Sequence, residues 1–273
     1  MSFERRQFLK SGLFFGTGLT LGGLSYVSNS EAYIGGGQVP VGAPPYGLPV
    51  VQLWTDETRA QFRVLSNPLM PVQYEATSSD GKVLPLKILS STPCPYDEYV
   101  QMDHLLVSGL QLGKDYLLSA YDDRTGARVE ERVFNALDTK KKQARIVVAS
   151  CMCDIFDGIQ SDMWKGVASA KPDAIFLIGD TSYTDLGGNG TVQSNWERHI
   201  QTRRKLDNFK WRKLVPTFAT WDDHDYAGNN ADRTHPLNGK SLGVFKAMFG
   251  WTPLYKEDHG PGVAMHVDLF NQR

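Results

Sequence analysis

A small all-β sandwich over residues 50–138, followed by an α/β unit over 144–273, is the fold that the sequence predicts. Three observations carry that reading. Short alternating runs punctuated by turn residues fill the first segment, as half-buried strands require. Near-continuous apolar runs separated by helical patterns fill the second, as a parallel sheet with crossover helices requires. Between the two stands Lys140-Lys141-Lys142, where the texture changes.

In the first segment, Val50-Val51-Gln52-Leu53-Trp54, Ala60-Gln61-Phe62-Arg63-Val64, Val72-Gln73-Tyr74-Glu75-Ala76 and Tyr116-Leu117-Leu118-Ser119-Ala120 have strand character. Ser79-Asp80-Gly81 and Arg124-Thr125-Gly126 supply turn chemistry between strands. The spacing suits an immunoglobulin or fibronectin type III style of sandwich. The stretch from Leu105 to Leu110, followed by Gly113 and Tyr116, resembles the Gly-Leu, turn, Tyr segment of fibronectin-like domains. No chemistry is apparent in this part, and Cys94 between Pro93 and Pro95 reads as a loop or packing thiol.

The second segment opens on the apolar run Ala144 to Ser150, read as a strand buried on both faces. A helix is expected over about Asp157 to Ala170, with Trp164 and Val167 on one face. Ala174 to Ile178 forms a second buried strand ending in Gly179-Asp180, and a charged helix is expected from roughly Gln193 to Lys213. Within it, Arg203-Arg204-Lys205, Lys210, Arg212 and Lys213 suit a solvent face. A third strand, Pro216 to Trp221, ends in Asp222-Asp223-His224-Asp225. Right-handed crossovers then place the carboxyl ends of all three strands on one edge of a parallel sheet.

Residues 1–32 read as an address rather than structure. A charged start precedes a mildly apolar stretch from Leu13 to Val27, which is short of the roughly 20 residues a membrane span needs. Arg5-Arg6-Gln7-Phe8-Leu9-Lys10 resembles the twin-arginine export signal, departing from it at Glu4. Ser30-Glu31-Ala32 offers small residues where a signal peptidase cuts. Export by the twin-arginine machinery implies a periplasmic or extracellular protein that crosses the membrane folded, which hints at a cofactor. The alternative is an uncleaved, anchored amino terminus. A Gly- and Pro-rich linker, 33–49, follows.

The 273 residues are 41% hydrophobic and 22% charged, with a formal net charge of -1. That balance gives no nucleic-acid footprint and no polybasic membrane patch. Cys94, Cys151 and Cys153 are odd in number, and two of them stand two apart, so no disulfide framework is read.

Ligand-type residues appear wherever a buried strand stops: Cys151 after the first, Asp180 and Tyr183 after the second, Asp223 and His224 after the third. Ligands of open α/β sheets bind beyond these strand ends. A thiolate, a phenolate and two carboxylates converging there require a cation. Taken singly, each has an ordinary reading: Asp180 a helix cap, Cys151 a small buried hydrophobe, Tyr183 packing, His224 a turn residue. Their common position on one sheet edge favours a site.

Ser150-Cys151, Ile178-Gly179-Asp180-Thr181-Ser182-Tyr183-Thr184-Asp185 and Thr220-Trp221-Asp222-Asp223-His224-Asp225-Tyr226-Ala227-Gly228-Asn229-Asn230 resemble the successive motifs of PhoD-like alkaline phosphatases, which belong with the metallophosphoesterases. The resemblance implies hydrolysis of small phosphate mono- or diesters outside the cytoplasm, by in-line attack on phosphorus. It implies that Cys151, Asp180 and Tyr183 hold iron(III), and that Asp180 bridges to a second position described as calcium in the family; other divalent metals are possible there. Asp223 stands where related enzymes place an Asn ligand before the His, and His224 is implied to lie next to the phosphoryl group. Asn229 or Asn230 is implied to touch the phosphate or a metal, and Asp222 to support Asp223 from behind.

Thr181-Ser182 departs from the Asn-containing form of the second motif. Nothing after Asn230 resembles the Gly-Asp-x-His motif that supplies the family's later ligands, and Val263 to Leu269 reads as the next core strand. His259 and His266 stand in no ligand motif. The expectation is therefore the first part of a metallophosphoesterase domain, with a half-built sheet, a second metal position left incomplete and no partner identified that would complete it. A non-catalytic homologue acting as a binding module is the alternative. A redox role for Cys151 and Cys153 fits poorly, because their spacing is not Cys-x-x-Cys.

Overall fold

A computed structural model describes residues 47–186 and 190–250, together with Val263, Val267, Leu269 and Phe270. The leader, most of the linker, His259, His266 and most of the strand expected at Val263 to Leu269 lie outside the described residues. Among those described, no helix is long and apolar enough to cross a membrane.

The chain is mixed, with antiparallel sheets first and a parallel sheet with helices after them. Strands β1 (Val50–Thr55), β2 (Arg59–Ser66), β4 (Leu86–Pro93) and β5 (Gln101–Ser108) form one antiparallel sheet in the order β1-β2-β5-β4. Strands β3 (Val72–Ser78), β6 (Asp115–Asp122) and β7 (Arg128–Asn135) form the second, in the order β3-β6-β7. The faces of the two sheets meet in one apolar core that includes Phe62, Val64, Ala76, Leu105, Leu118 and Phe134. Both expected turns are present. Gly81 and Gly126 adopt φ of 83° and 70°, which glycine reaches without the clash a Cβ would bring. The Tyr116 hydroxyl accepts a hydrogen bond from the Gln111 N–H at 2.7 Å, tying the turn to the start of β6.

Strand β2 is buried on both faces, from Ala60 to Ser66. Its far side explains why. Val51, Leu53, Leu65 and Met102 leave the sandwich core and join a larger one with Trp164, Leu177, Trp196 and Phe245 from the second half of the chain. The two halves therefore share a core across the four-stranded sheet.

The second half holds strands β8 (Ile146–Ala149), β9 (Ala174–Ile178) and β10 (Thr217–Thr220), all parallel, in the order β10-β9-β8. Helix α1 (Asp157–Ser169) and helix α2 (Val192–Lys205) make the crossovers; a single turn α3 (Asp223–Tyr226) and helix α4 (Asn238–Phe249) follow β10. Trp164 is fully buried and Val167 packs against the same core, as their spacing predicts. Thr191 and Ser194 cap α2 reciprocally, with the Ser194 N–H donating to Thr191 Oγ1 at 3.1 Å and the Thr191 N–H donating to Ser194 Oγ at 2.9 Å.

Three expectations need correction. The run at β8 is not buried on both faces: Ile146 is 46% exposed and Val148 60%, with Ile178 at 43% beside them. Val147, Ala149, Ile175, Leu177 and Ala219 pack onto the large core. Among the described residues, the opposite face is covered only toward β10, where Phe176 and Phe218 stack and Leu137, Leu269 and Phe270 join them. Second, the charged helix stops at Lys205 rather than running to Lys213. Leu206 turns extended (φ -74°, ψ 141°), and a 3-10 turn over Asp207–Phe209 follows. Asp207 and Asn208 are poor helix formers, and Leu206 and Phe209 must both reach the core. Third, Arg203 leaves the solvent face. It is 2% exposed, with its guanidinium 4.4 Å from the Phe249 ring centroid and 5.1 Å from that of Phe209.

Candidate metal centre

The carboxyl ends of the three parallel strands lie on one edge, and the loops leaving them are bound to one another. The Met152 N–H donates to the Asp180 carbonyl at 2.9 Å, joining the first loop to the second. Thr184 joins the second to the third, its N–H and Oγ1 both donating to the His224 carbonyl at 3.0 and 2.8 Å. The backbone here is unusual. Cys151, Asp180 and Asn230 adopt left-handed φ of 57°, 52° and 61°, and Gly179 stands at 116°. Side chains other than Gly, Asn or Asp rarely occupy that region, and such strain gathers at binding sites.

Asp180 is the centre of the group. It is 2% exposed, and no helix begins at it, which removes the capping reading. One of its oxygens, Oδ2, accepts from the Cys151 thiol and from the Tyr183 hydroxyl, each at 3.4 Å. The other, Oδ1, is buried with no hydrogen-bond partner among the described residues. Asp180, Asp223 and His224 each offer a ligand atom, and these atoms lie within 4.8 Å of one another. All five residues read from the strand ends thus meet, with Asp180 common to two subsets: Cys151 and Tyr183 on one hand, Asp223 and His224 on the other.

Asp222 caps the turn α3. Its Oδ1 accepts from the Asp223 N–H at 2.9 Å, while its own N–H donates to Asp225 Oδ2 at 2.9 Å, so it holds Asp223 in place through the backbone. Asn229 and Asn230 are exposed, and the N–H of each donates into the site. The Asn230 N–H donates to Asp223 Oδ2 at 2.5 Å and the Asn229 N–H to Asp185 Oδ2 at 3.1 Å. Cys153 is buried, and none of the three cysteines forms a disulfide.

Two residues in contact with the site carry no role in the sequence analysis. Asp185 lies within the second motif, where no role was assigned to it, yet its Oδ1 is 2.7 Å from His224 Nδ1. A carboxylate only accepts, so Nδ1 carries the proton and the Nε2 side of the ring is left for other work. The His224 ring also lies against Tyr183, with centroids 4.3 Å apart. Asp225, fully buried behind the site, accepts from Thr181 Oγ1 and from the Ser182 N–H. Acidic-residue spacing alone was the available signal for Asp185; its partner stands 39 positions on.

Electrostatics match the geometry. Burial raises the Asp180 carboxyl above its ordinary range; His224 opposes the shift and Asp223 adds to it. Burial likewise raises the Cys151 thiol, with Ser150 opposing and Asp180 adding, and it raises the Tyr183 phenol, with Asp180 adding. Asp225 is pushed up to about 7, again by burial first. Three potential anions crowd each other with their charged forms disfavoured, the condition that a cation reverses.

No protein-family model matches the chain, and no curated protein matches it.

The donor set fits a metal ion on the structure's own terms. A buried carboxylate oxygen without a donor costs free energy that a cation would offset. Thiol, phenol and carboxylate all become anionic ligands, suited to a highly charged ion, whereas carboxylates with an imidazole suit a divalent one.

Proposed function

We propose that this chain is an exported, metal-dependent phosphoesterase of the PhoD-like type, acting on small phosphate mono- or diesters. The observation that carries the reading is Asp180, a buried carboxylate with one oxygen unpartnered and two pairs of ligand-type side chains converging on it. Cys151, Tyr183 and Asp180 would hold iron(III). Asp180, Asp223 and His224 flank the second position, for calcium or another divalent ion. The twin-arginine-like start supports a periplasmic or extracellular site of action. The strand orders β1-β2-β5-β4 and β3-β6-β7 support an immunoglobulin-type sandwich ahead of a metallophosphoesterase-like sheet.

Bound metal ions would supply Lewis-acid polarisation of a phosphoryl oxygen and lower the pKa of water. The chain's own residues do the rest. Asp185 holds the His224 ring with the proton on Nδ1, so that Nε2 is turned to the site as an acceptor and, once protonated, can donate to a phosphoryl oxygen or hand its proton to the leaving oxygen. The amides of Asn229 and Asn230 fix Asp185 and Asp223. Asp222 fixes the turn that carries Asp223 and His224.

Metal analysis of the purified chain, alongside an assay on a chromogenic phosphodiester, tests the reading. Bound metal with turnover is expected for the natural sequence, and loss of both in Asp180→Ala. Unchanged metal content in Asp180→Ala would refute the ligand assignment. Metal without turnover would instead support a binding module.

A further inference from the structure

We infer that Arg198 is the positioning residue that sets the Cys151 and Tyr183 loops against each other, an inference that rests on the metal-site reading above. Arg198 lies on α2, with its side chain 12% exposed. Its Nη2 forms an ion pair with Asp154 Oδ1, and Asp154 is 2% exposed. Its Nε donates to the Tyr183 carbonyl at 3.1 Å. Asp154 stands three residues after Cys151 on the loop that leaves β8, and Tyr183 stands on the loop that leaves β9. One guanidinium therefore joins the two loops that deliver the thiol and the phenol to Asp180.

The same helix face reaches the third loop. Asn195 Nδ2 donates to the Asp225 carbonyl at 2.9 Å, and His199 Nε2 lies 3.3 Å from the same oxygen. Residues 195, 198 and 199 share one side of a helix by their spacing. That helix is fixed in the large core by Trp196 and Ile200. Helix α2 thus touches all three ligand-bearing loops and offers none of the ligand-type side chains itself. Arg198 is the member whose fork geometry no other side chain reproduces: Lys could keep the charge near Asp154 but would lose the directed hydrogen bond to Tyr183.

The test compares Arg198→Met and Arg198→Lys with the natural chain in two ways. The first needs no metal. Alkylation of each cysteine by iodoacetamide is followed by peptide mass spectrometry at one pH, with Cys94, which lies outside the ligand loops, as internal control. Arg198→Met is expected to speed alkylation of Cys151 about tenfold, the weight of a charge-assisted hydrogen bond, and to leave Cys94 unchanged. Arg198→Lys should fall between. Removing a cation would by itself slow a thiol, so acceleration reports the loop opening. In the second, iron(III) is added and its phenolate charge-transfer band is recorded; Arg198→Met should shift or weaken the band more than Arg198→Lys. Equal acceleration at Cys151 and Cys94 would mean general loosening and would overturn the proposal, as would unchanged alkylation. A natural chain that binds no iron would sink the metal reading, while the alkylation arm would still decide the role of Arg198.

Discussion

A carboxylate oxygen buried without a donor is among the costlier features a fold can carry, because water's hydrogen bonds are lost and nothing replaces them. Asp180 Oδ1 is in that state. Such a cost at one position is most simply explained by a ligand the position exists to bind. Asp185 has the complementary role of holding a ring rather than a metal. Asp185→Asn keeps an acceptor for His224 Nδ1 but removes the charge that would stabilise a protonated ring. We expect about a 10–100-fold loss of phosphodiester turnover with metal content retained, the usual size of an effect behind a ligand. Equal turnover in Asp185→Asn, measured at saturating substrate, would remove Asp185 from the mechanism. The site candidates Cys151, Asp180, Tyr183, Asp223 and His224 were legible in the sequence because each stands within a few residues of the end of an apolar run. Asp185 was not, since its role is fixed by where a loop places it against a residue from another strand. Nor were the hydrogen bonds from the Asn229 and Asn230 N–H groups to Asp185 and Asp223, since any residue type could supply them.

At the scale of elements, the strands named from sequence within the described residues are all present, whereas β4, β5 and β7 are not among them, and the environment of each strand did not follow from sequence. Ile146 and Val148 read as buried because they are apolar; the alternation that leaves them 46% and 60% exposed depends on whether another layer covers that face, and no local pattern encodes this. Helix α2 was extended too far for a related reason. Charge and mild propensity continue past Lys205, whereas the core's demand for Leu206 and Phe209 ends the helix. The junction of β9 with its loop gives a sharper test. A Cβ on Gly179 would lie 2.6 Å from the Asp222 Cβ and 3.0 Å from the Asp222 N, at a φ of +116° that other residues avoid. Gly179 is therefore the residue that lets the second and third loops approach. Gly179→Ala should cost at least about 2 kcal/mol, combining backbone strain with overpacking. Gly113→Ala, at φ +74° with nothing within 4 Å, should cost only about 1 kcal/mol. Urea unfolding of the two variants compares them directly, and equal midpoints would mean that the close approach at Asp222 relaxes freely.

For the whole molecule, the sandwich and the parallel sheet are predicted from sequence as successive segments, yet they are packed as one body. Strand β7 shows how. The Val133 N–H donates to the Arg212 carbonyl at 2.7 Å and the Leu214 N–H to the Val133 carbonyl at 2.8 Å, so the chain leading into β10 adds to the sandwich edge. Beside this seam Arg132 is fully buried. It forms an ion pair with Glu130 at 2.9 Å and donates to the Trp211 carbonyl at 2.6 Å and to the Leu48 carbonyl at 2.9 Å. Burial raises the Glu130 carboxyl despite its partner, so the pair is held against its own desolvation. Removing one member strands the other. Glu130→Leu should cost about 3–5 kcal/mol by leaving the Arg132 charge uncompensated, and Glu130→Leu with Arg132→Met should recover only part of that, since the stranded charge is gone but the Leu48 and Trp211 carbonyls lose their donor. Because the large core spans both halves, calorimetry of Glu130→Leu should show one transition moved to lower temperature. Two separate transitions, with only the earlier one shifted, would mean that the halves unfold independently and that the shared core does not couple them.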